Sequence, residues 1–146
     1  MAFSVNAITQ EKYVIPEFLD DADEIDQFLS KNKGKKVIVV QGLGFVGAVM
    51  SLICANAITE EYAVIGVDLA NENSYWKIKS IKSGCFPLIA DDSKIDQFFD
   101  QAKAKGNLLA THDPIAYQYA DIVIVDINLD VKKTSNQNYI LQDFDV

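Results

Sequence analysis

From residue 36 onward, short unbroken apolar blocks alternate with stretches in which apolar residues recur at helical spacing. The block at 36–41 predicts a strand buried on both faces, because strands of a parallel sheet covered by helices are hydrophobic throughout; a helix follows at about 44–58. A second buried strand is expected at 62–67, then a helix through Tyr75, Ile78 and Ile81 that ends near Gly84. Asp92 or Ser93 opens a helix through Ile95, Phe98, Phe99 and Ala102, closed by Gly106. A short strand at 108–111, a short helix started by Asp113 and Pro114, and a fourth strand at 122–127 complete the pattern. Such an order predicts an α/β fold, an open parallel sheet with helices on both faces and right-handed crossovers.

The two ends of the chain read differently. Residues 16–31 predict a helix: Pro16 suits a first helical position, and Phe18, Ile25, Phe28 and Leu29 fall on one side. Glu17, Asp20, Asp21, Asp23, Glu24 and Asp26 crowd its start and Lys31 and Lys33 its end, in keeping with the helix dipole, and Gly34 can close it. This acidic stretch reads as a helix packed on the domain with a solvated face. Beyond Asp130 the pattern fades, and no further strand follows before Val146. The division expected is an acidic helical leader (1–35), a sheet domain (36–131) and a polar tail (132–146), with a fragment of a longer protein as the reading.

Charge and cysteine content narrow the possibilities. With 13 basic and 21 acidic residues the chain carries a formal charge of -8, which repels nucleic acid and anionic lipid. Two cysteines, Cys54 and Cys85, 31 positions apart, make neither a disulfide framework nor a zinc ribbon, so a reduced, cytoplasmic chain is expected, without a metal. The 23 residues from 37 to 59 carry no charge. They are long enough to cross a bilayer, but a β-branched block followed by three glycines reads as strand, turn and helix. The first ten residues lack the basic start and apolar core of a signal peptide.

The densest chemical signal is Gly42-Leu43-Gly44-Phe45-Val46-Gly47, a GxGxxG run between a buried strand and a helix. In that context the first glycine permits a tight turn, the second lets the backbone approach a pyrophosphate, and the third lets the helix lie close to the strand. The helix N-terminus then offers free N–H groups to the phosphates. The fold is therefore expected to be Rossmann-like, an incomplete half of about four strands plus the N-terminal helix. The second strand ends at Asp68, 26 residues beyond Gly42, where an acid would accept hydrogen bonds from a ribose and repel a 2'-phosphate. NAD is thus expected rather than NADP. Lys77 and Lys79 lie close enough to approach phosphate or ribose, with solvated helix-face lysines as the plainer description.

Other candidates are thin. His112, the single histidine, has no evident partner in sequence and reads as structural. Cys54 reads as a small core residue and Cys85 as a loop thiol with no neighbouring base. Asp91 and Asp92 read as a helix start. No catalytic residue is assigned.

Residues 36–130 resemble the N-terminal NAD-binding domain of the UDP-glucose/GDP-mannose dehydrogenase family. The resemblance rests on Val39-Val40-Gln41-Gly42-Leu43-Gly44-Phe45-Val46-Gly47, on Gly66-Val67-Asp68, on the segment IKSIKSGCFP at 78–87, on Leu109-Ala110-Thr111-His112-Asp113, and on Ala120-Asp121-Ile122-Val123-Ile124-Val125, in that order. It implies cofactor contacts from Gly42, Gly44, Phe45, Val46 and Gly47, with Asp68 on the ribose and Lys77 where a basic residue is common, although the chain is about four residues longer there. Where the family usually reads V-P-T-P or V-N-T-P, this chain reads Ile127-Asn128-Leu129-Asp130. The threonine that approaches the cofactor is missing, and Asn128 is left to take its place in part. Family members are oxidoreductases that oxidise the C6 hydroxyl of a nucleotide sugar to a carboxylate through a cysteine in a later segment, in polysaccharide biosynthesis. Neither cysteine here matches that nucleophile's motif. The resemblance implies an NAD-binding part of a UDP-sugar 6-dehydrogenase, inactive alone, whose nucleotide-sugar substrate binds only the full-length enzyme. A homodimer is an open option. The alternatives are the same half of a hydroxyacid or hydroxyacyl dehydrogenase, or a stand-alone NAD-sensing or interaction module.

Overall fold

The computed structural model describes residues 1–127 together with two short strands beyond them, and it begins with a feature that the hydrophobic pattern did not announce. Strands β1 (Phe3–Val5) and β2 (Lys12–Val14) pair antiparallel, with Ser4 opposite Tyr13. The helix expected over 16–31 is shorter. Helix α1 runs Ala22–Lys31, and Phe18, expected on its apolar side, lies before it and is 78% exposed. The reason is that Asp21 is turned inward at the helix start and buried, where it bonds to Lys82 and Thr111, so the residues before it lie outside the helix. Ile25 and Phe28 keep the inward positions that helical spacing gave them.

The remainder alternates as the pattern requires. Strand β3 (Lys36–Gln41) leads to α2 (Phe45–Ala55), β4 (Tyr62–Val67), α3 (Tyr75–Lys82), α4 (Ser93–Lys105), β5 (Leu108–Thr111), a 3-10 helix (Pro114–Tyr119) and β6 (Ile122–Val125). Helix α2 stops three residues before the expected position, where Asn56 donates to the carbonyls of Leu52 and Phe98. Strand β6 stops two residues early, at Val125. The starts of the later helices follow their caps: the Asp92 carboxylate accepts from Lys94 N–H and that of Asp113 from Ile115 N–H. Lys132–Lys133 (β7) and Tyr139–Ile140 (β8) pair antiparallel. Asn128 lies outside the described residues.

The four parallel strands lie in the order β5-β4-β3-β6, with Val39 opposite Ile65 and Val123 and Ile65 opposite Leu109. Alternation along β3 and β4 divides the core in two. Val37, Val39, Ala63, Ile65 and Val67 meet Ile25 and Phe28 of α1, while Ile38, Val40 and Val64 meet Ala55 of α2 and Ala102 of α4. Both faces of the sheet are therefore covered, which is why its inner strands carry no alternating polar residues. Among the described residues no helix is long and apolar enough to cross a membrane. The chain turns one way from β3 to β4 and β5 and returns to the other side of β3 as β6, so the carboxyl ends of β3, β4 and β6 frame a topological switch point.

Candidate functional site

At that switch point the turn from β3 into α2 is made by residues 42–44. Gly42 has φ +94°, in the left-handed region that side chains disfavour, and donates its N–H to Val67 O at 2.8 Å. A Cβ on Gly42 would stand 2.0 Å from Asp126 O, and one on Gly47 would stand 1.9 Å from Gly42 O. Both glycines are thus required by the protein's own packing. Gly44, the N-cap of α2, differs: its backbone is ordinary (φ -68°), and a Cβ there would meet no atom within 4 Å. Between them Leu43 is buried, and its methyl group lies so close to Gly66 that a Cβ on that residue would be 2.5 Å away. The loop is pinned into the core by one side chain while its remaining atoms are main chain.

Helix α2 begins with no side-chain cap and no acidic residue in its first turn. Its leading N–H groups have no intrahelical acceptor, and the partial positive charge at such an end favours an anion. Beside it stands Asp68. One carboxylate oxygen, Oδ2, accepts from Leu43 N–H at 2.9 Å, and Oδ1 accepts from Leu69 N–H at 2.7 Å. The carboxylate is thereby fixed against the glycine turn, with lone pairs left for hydroxyl donors. Lys77 Nζ lies 3.9 Å from Asp68 Oδ2, so this lysine turns toward the site rather than into solvent.

A cleft of about 420 Å³ opens at this edge, lined by Gly42 and Asp68 together with Leu69, Ala70, His112, Pro114, Tyr117 and Leu19. Burial raises the pKa of the Tyr117 phenol, and the charge of Asp68 raises it further, so the phenol stays neutral. Lining of this kind suits a flat, weakly polar group beside a carboxylate.

Several residues here escaped sequence reasoning. Asp126 donates its N–H to Gln41 O, and its Oδ2 lies within 3.0 Å of where a Gly47 Cβ would stand, which sets a carboxylate against the first turn of α2. Its only signal was an acid ending an apolar strand. Asp21, grouped above with the solvated acids, is the centre of a buried cluster. Lys82 Nζ is 2.9 Å from both of its oxygens, and Thr111 Oγ1 donates to its Oδ2 at 2.6 Å. Lys82 also pairs with Glu24. His112, read as structural and without a partner in sequence, has Nδ1 3.3 Å from Asp21 Oδ2, though not aligned for a hydrogen bond. Its Nε2 is 3.5 Å from Phe18 O. Burial is the largest influence on Asp21 and pushes its pKa up, but hydrogen bonds from Thr111 and Lys82 outweigh it and hold the carboxyl below its ordinary value. Burial pushes Lys82 down, and its bonds to Glu24 and Asp21 more than compensate, leaving the ammonium above its ordinary value.

The cysteines stand apart from the cleft lining. Cys54 is half-buried in α2, where burial pushes its thiol up, and Cys85 is exposed in the loop after α3. Among the described residues no group of three or more His, Cys, Asp or Glu side chains is placed to hold a metal.

Comparison with known proteins agrees with this geometry. Residues 35–142 match the UDP-glucose/GDP-mannose dehydrogenase family, NAD binding domain. The crystal structure of NDP-N-acetyl-D-galactosaminuronic acid dehydrogenase from Methanosarcina mazei Go1 superposes with a TM-score of 0.60 at 22% identity. That likeness of fold covers 75% of this chain and 23% of the archaeal protein. A search of curated protein sequences finds no match. The glycine turn, the strand order that frames it and the family match over most of the sheet lead to one conclusion: the chain belongs to the UDP-glucose/GDP-mannose dehydrogenase family and carries its NAD-binding domain.

Proposed function

We propose that this chain is the cofactor-binding part of an NAD-dependent nucleotide-sugar 6-dehydrogenase acting on a UDP-sugar. The observation that carries the reading is the contrast among the glycines. Those at 42 and 47 are demanded by the protein's own atoms, whereas Gly44 leaves open space beside an uncapped helix end and a fixed carboxylate. A diphosphate lying on the start of α2 accounts for that space, since its oxygens need close approach to main-chain N–H groups.

In this reading Gly42, Gly44, Phe45, Val46 and Gly47 form the diphosphate cradle, and Asp68 accepts hydrogen bonds from the adenosine ribose. Lys77, whose Nζ is 3.9 Å from Asp68, is assigned to the ribose or phosphate on the strength of that proximity. Asn128 remains a proposed contact to the cofactor's far half. When bound, NAD supplies the hydride acceptor for oxidation of an alcohol. The chain's own residues orient it; neither cysteine is placed to act as a nucleophile beside it. The Cys54 thiol, raised by burial, is a poor source of thiolate. Sugar binding and chemistry then fall to residues outside this set, and a cytoplasmic setting in polysaccharide biosynthesis fits the product.

Calorimetric titration tests the reading. NAD should bind, NADP should bind more weakly because Asp68 opposes a 2'-phosphate, and a UDP-sugar should not bind the chain alone tightly. Equal affinity for NADP would remove the role of Asp68, and no heat from NAD would overturn the proposal.

A further inference from the structure

The cleft wall contains a residue from outside the matched domain. The family match begins at residue 35, yet Leu19 of the leader lines the same cavity as Gly42 and Asp68. We infer that Leu19 forms the outer wall of the cleft's base end as the side chain that contacts a purine, with Asp21 the residue that positions it. The inference rests on the dinucleotide reading above.

Three observations converge on it. The first is the order of chemistry along the cleft: the glycine turn takes the diphosphate and Asp68 the ribose, so the space beyond Asp68 receives the base. Among the cleft's lining residues, Leu69, Ala70, Pro114, Tyr117 and Leu19 offer the uncharged surface that suits a flat aromatic ring. Second, Leu19 is 59% exposed although it stands at the cavity rim, so its apolar surface is free to be covered by a guest. Third, the segment is tied down by long-range contacts. Asp21 joins α1 to Lys82 of α3 and Thr111 of β5, and Phe18 O lies against His112, itself part of the cleft lining. The hairpin before it is also anchored: Ser4 Oγ accepts from Trp76 N–H at 3.0 Å and donates to Glu72 O, and Asn6 donates to Ser80 Oγ. Leu19 is therefore held between two anchored segments, the hairpin before it and Asp21 after it, in the cavity it shares with Asp68.

Binding of ADP and UDP to the full chain separates this inference from the reading beneath it. Both ligands present a ribose and a diphosphate, and they differ in the size of the base that reaches Leu19. The wild-type chain should prefer ADP. Leu19→Ala should weaken ADP by about fivefold, the scale expected when a partly covered leucine side chain is lost, and change UDP by less than about twofold. Asp21→Asn should narrow the ADP-to-UDP ratio in the same direction, a readout that mere loss of stability would not move. Phe18→Ala, one residue away and not in the lining, should leave both affinities unchanged while confirming that the leader tolerates truncation. If Leu19→Ala leaves the ratio at its wild-type value, or weakens both ligands equally, the leader is not the base wall, and NAD binding by the wild-type chain keeps the dinucleotide reading intact. If the wild-type chain binds neither NAD nor ADP, both fall together.

Discussion

The two ends of the cleft are built from different materials. At the glycine-turn end the surface is main chain: a turn with one member at positive φ and a helix start without a side-chain cap. At the other end it is side chains drawn from separated segments, among them Leu19, which is followed by Asp21, itself bonded to Thr111 across 90 positions of sequence. A main-chain site needs only the absence of side chains at fixed spacing, so it is written locally. A side-chain site needs long-range packing to exist before it has any shape. The first should be brittle toward added atoms and the second toward lost partners.

The largest effect should come from adding atoms at the main-chain end. Gly42→Ala puts a Cβ 2.0 Å from a backbone oxygen at a positive φ, and should abolish measurable NAD binding while costing about 2–4 kcal/mol in denaturant melts. Gly44→Val sharpens the contrast. A Cβ there meets no atom within 4 Å and the dihedrals are ordinary, so the variant should cost about 1 kcal/mol, from the poorer N-cap alone, yet remove NAD binding as completely. Equal damage to folding by both variants would break the distinction between structural and ligand-facing glycines.

Next in size is the side-chain end. Asp21→Ala leaves Lys82 half-paired and Thr111 without its acceptor, and should cost about 2–3 kcal/mol, read from the shift in denaturation midpoint. The pH profile follows from the same cluster. The carboxyl of Asp21 is held below its ordinary value, so its contribution is present above the ordinary carboxylate range and lost as pH falls through its folded value. The ammonium of Lys82 is held above its ordinary value, so its contribution is present below the ordinary lysine range and lost as pH rises through its folded value. Melts across pH should show both limbs in wild type, and Asp21→Asn should flatten the acid one.

A smaller effect is expected where the two ends meet. Asp68→Asn keeps an acceptor but removes the charge, and should lower the preference for NAD over NADP by about tenfold in paired titrations. An unchanged ratio would assign the discrimination elsewhere. Smallest is Ser4→Ala. It removes the hydroxyl that caps α3 from a distant strand, and should cost about 1 kcal/mol in thermal or denaturant melts without changing NAD affinity.

The sheet, its helices and the glycine turn were legible because each depends on local chemistry. The apolar block at 36–41 became β3 over the same residues, and Asp92 and Asp113 capped the helices they were expected to start. The leader was misread for the opposite reason. The spacing of Phe18 with Ile25 and Phe28 is helical, but the inward turn of Asp21 toward Lys82 and Thr111 delays the start of the helix to residue 22, and no spacing rule encodes a partner 61 or 90 positions away. The hairpin was missed because three-residue strands carry too few positions for alternation to register. In the site, Gly66 illustrates the middle ground: it was quoted as part of a motif, but its reason, the methyl group of Leu43 lying over it, exists only once β3 and β4 are side by side.

Asp126 gives the cradle an unusual electrical character. Its carboxylate lies against the same helix start that would receive the diphosphate, on a chain whose overall charge is already -8. A guest anion therefore approaches a resident one, and dissolved ions weaken their mutual repulsion. Moderate ionic strength should accordingly tighten the grip on the dinucleotide, the reverse of what a basic phosphate pocket shows.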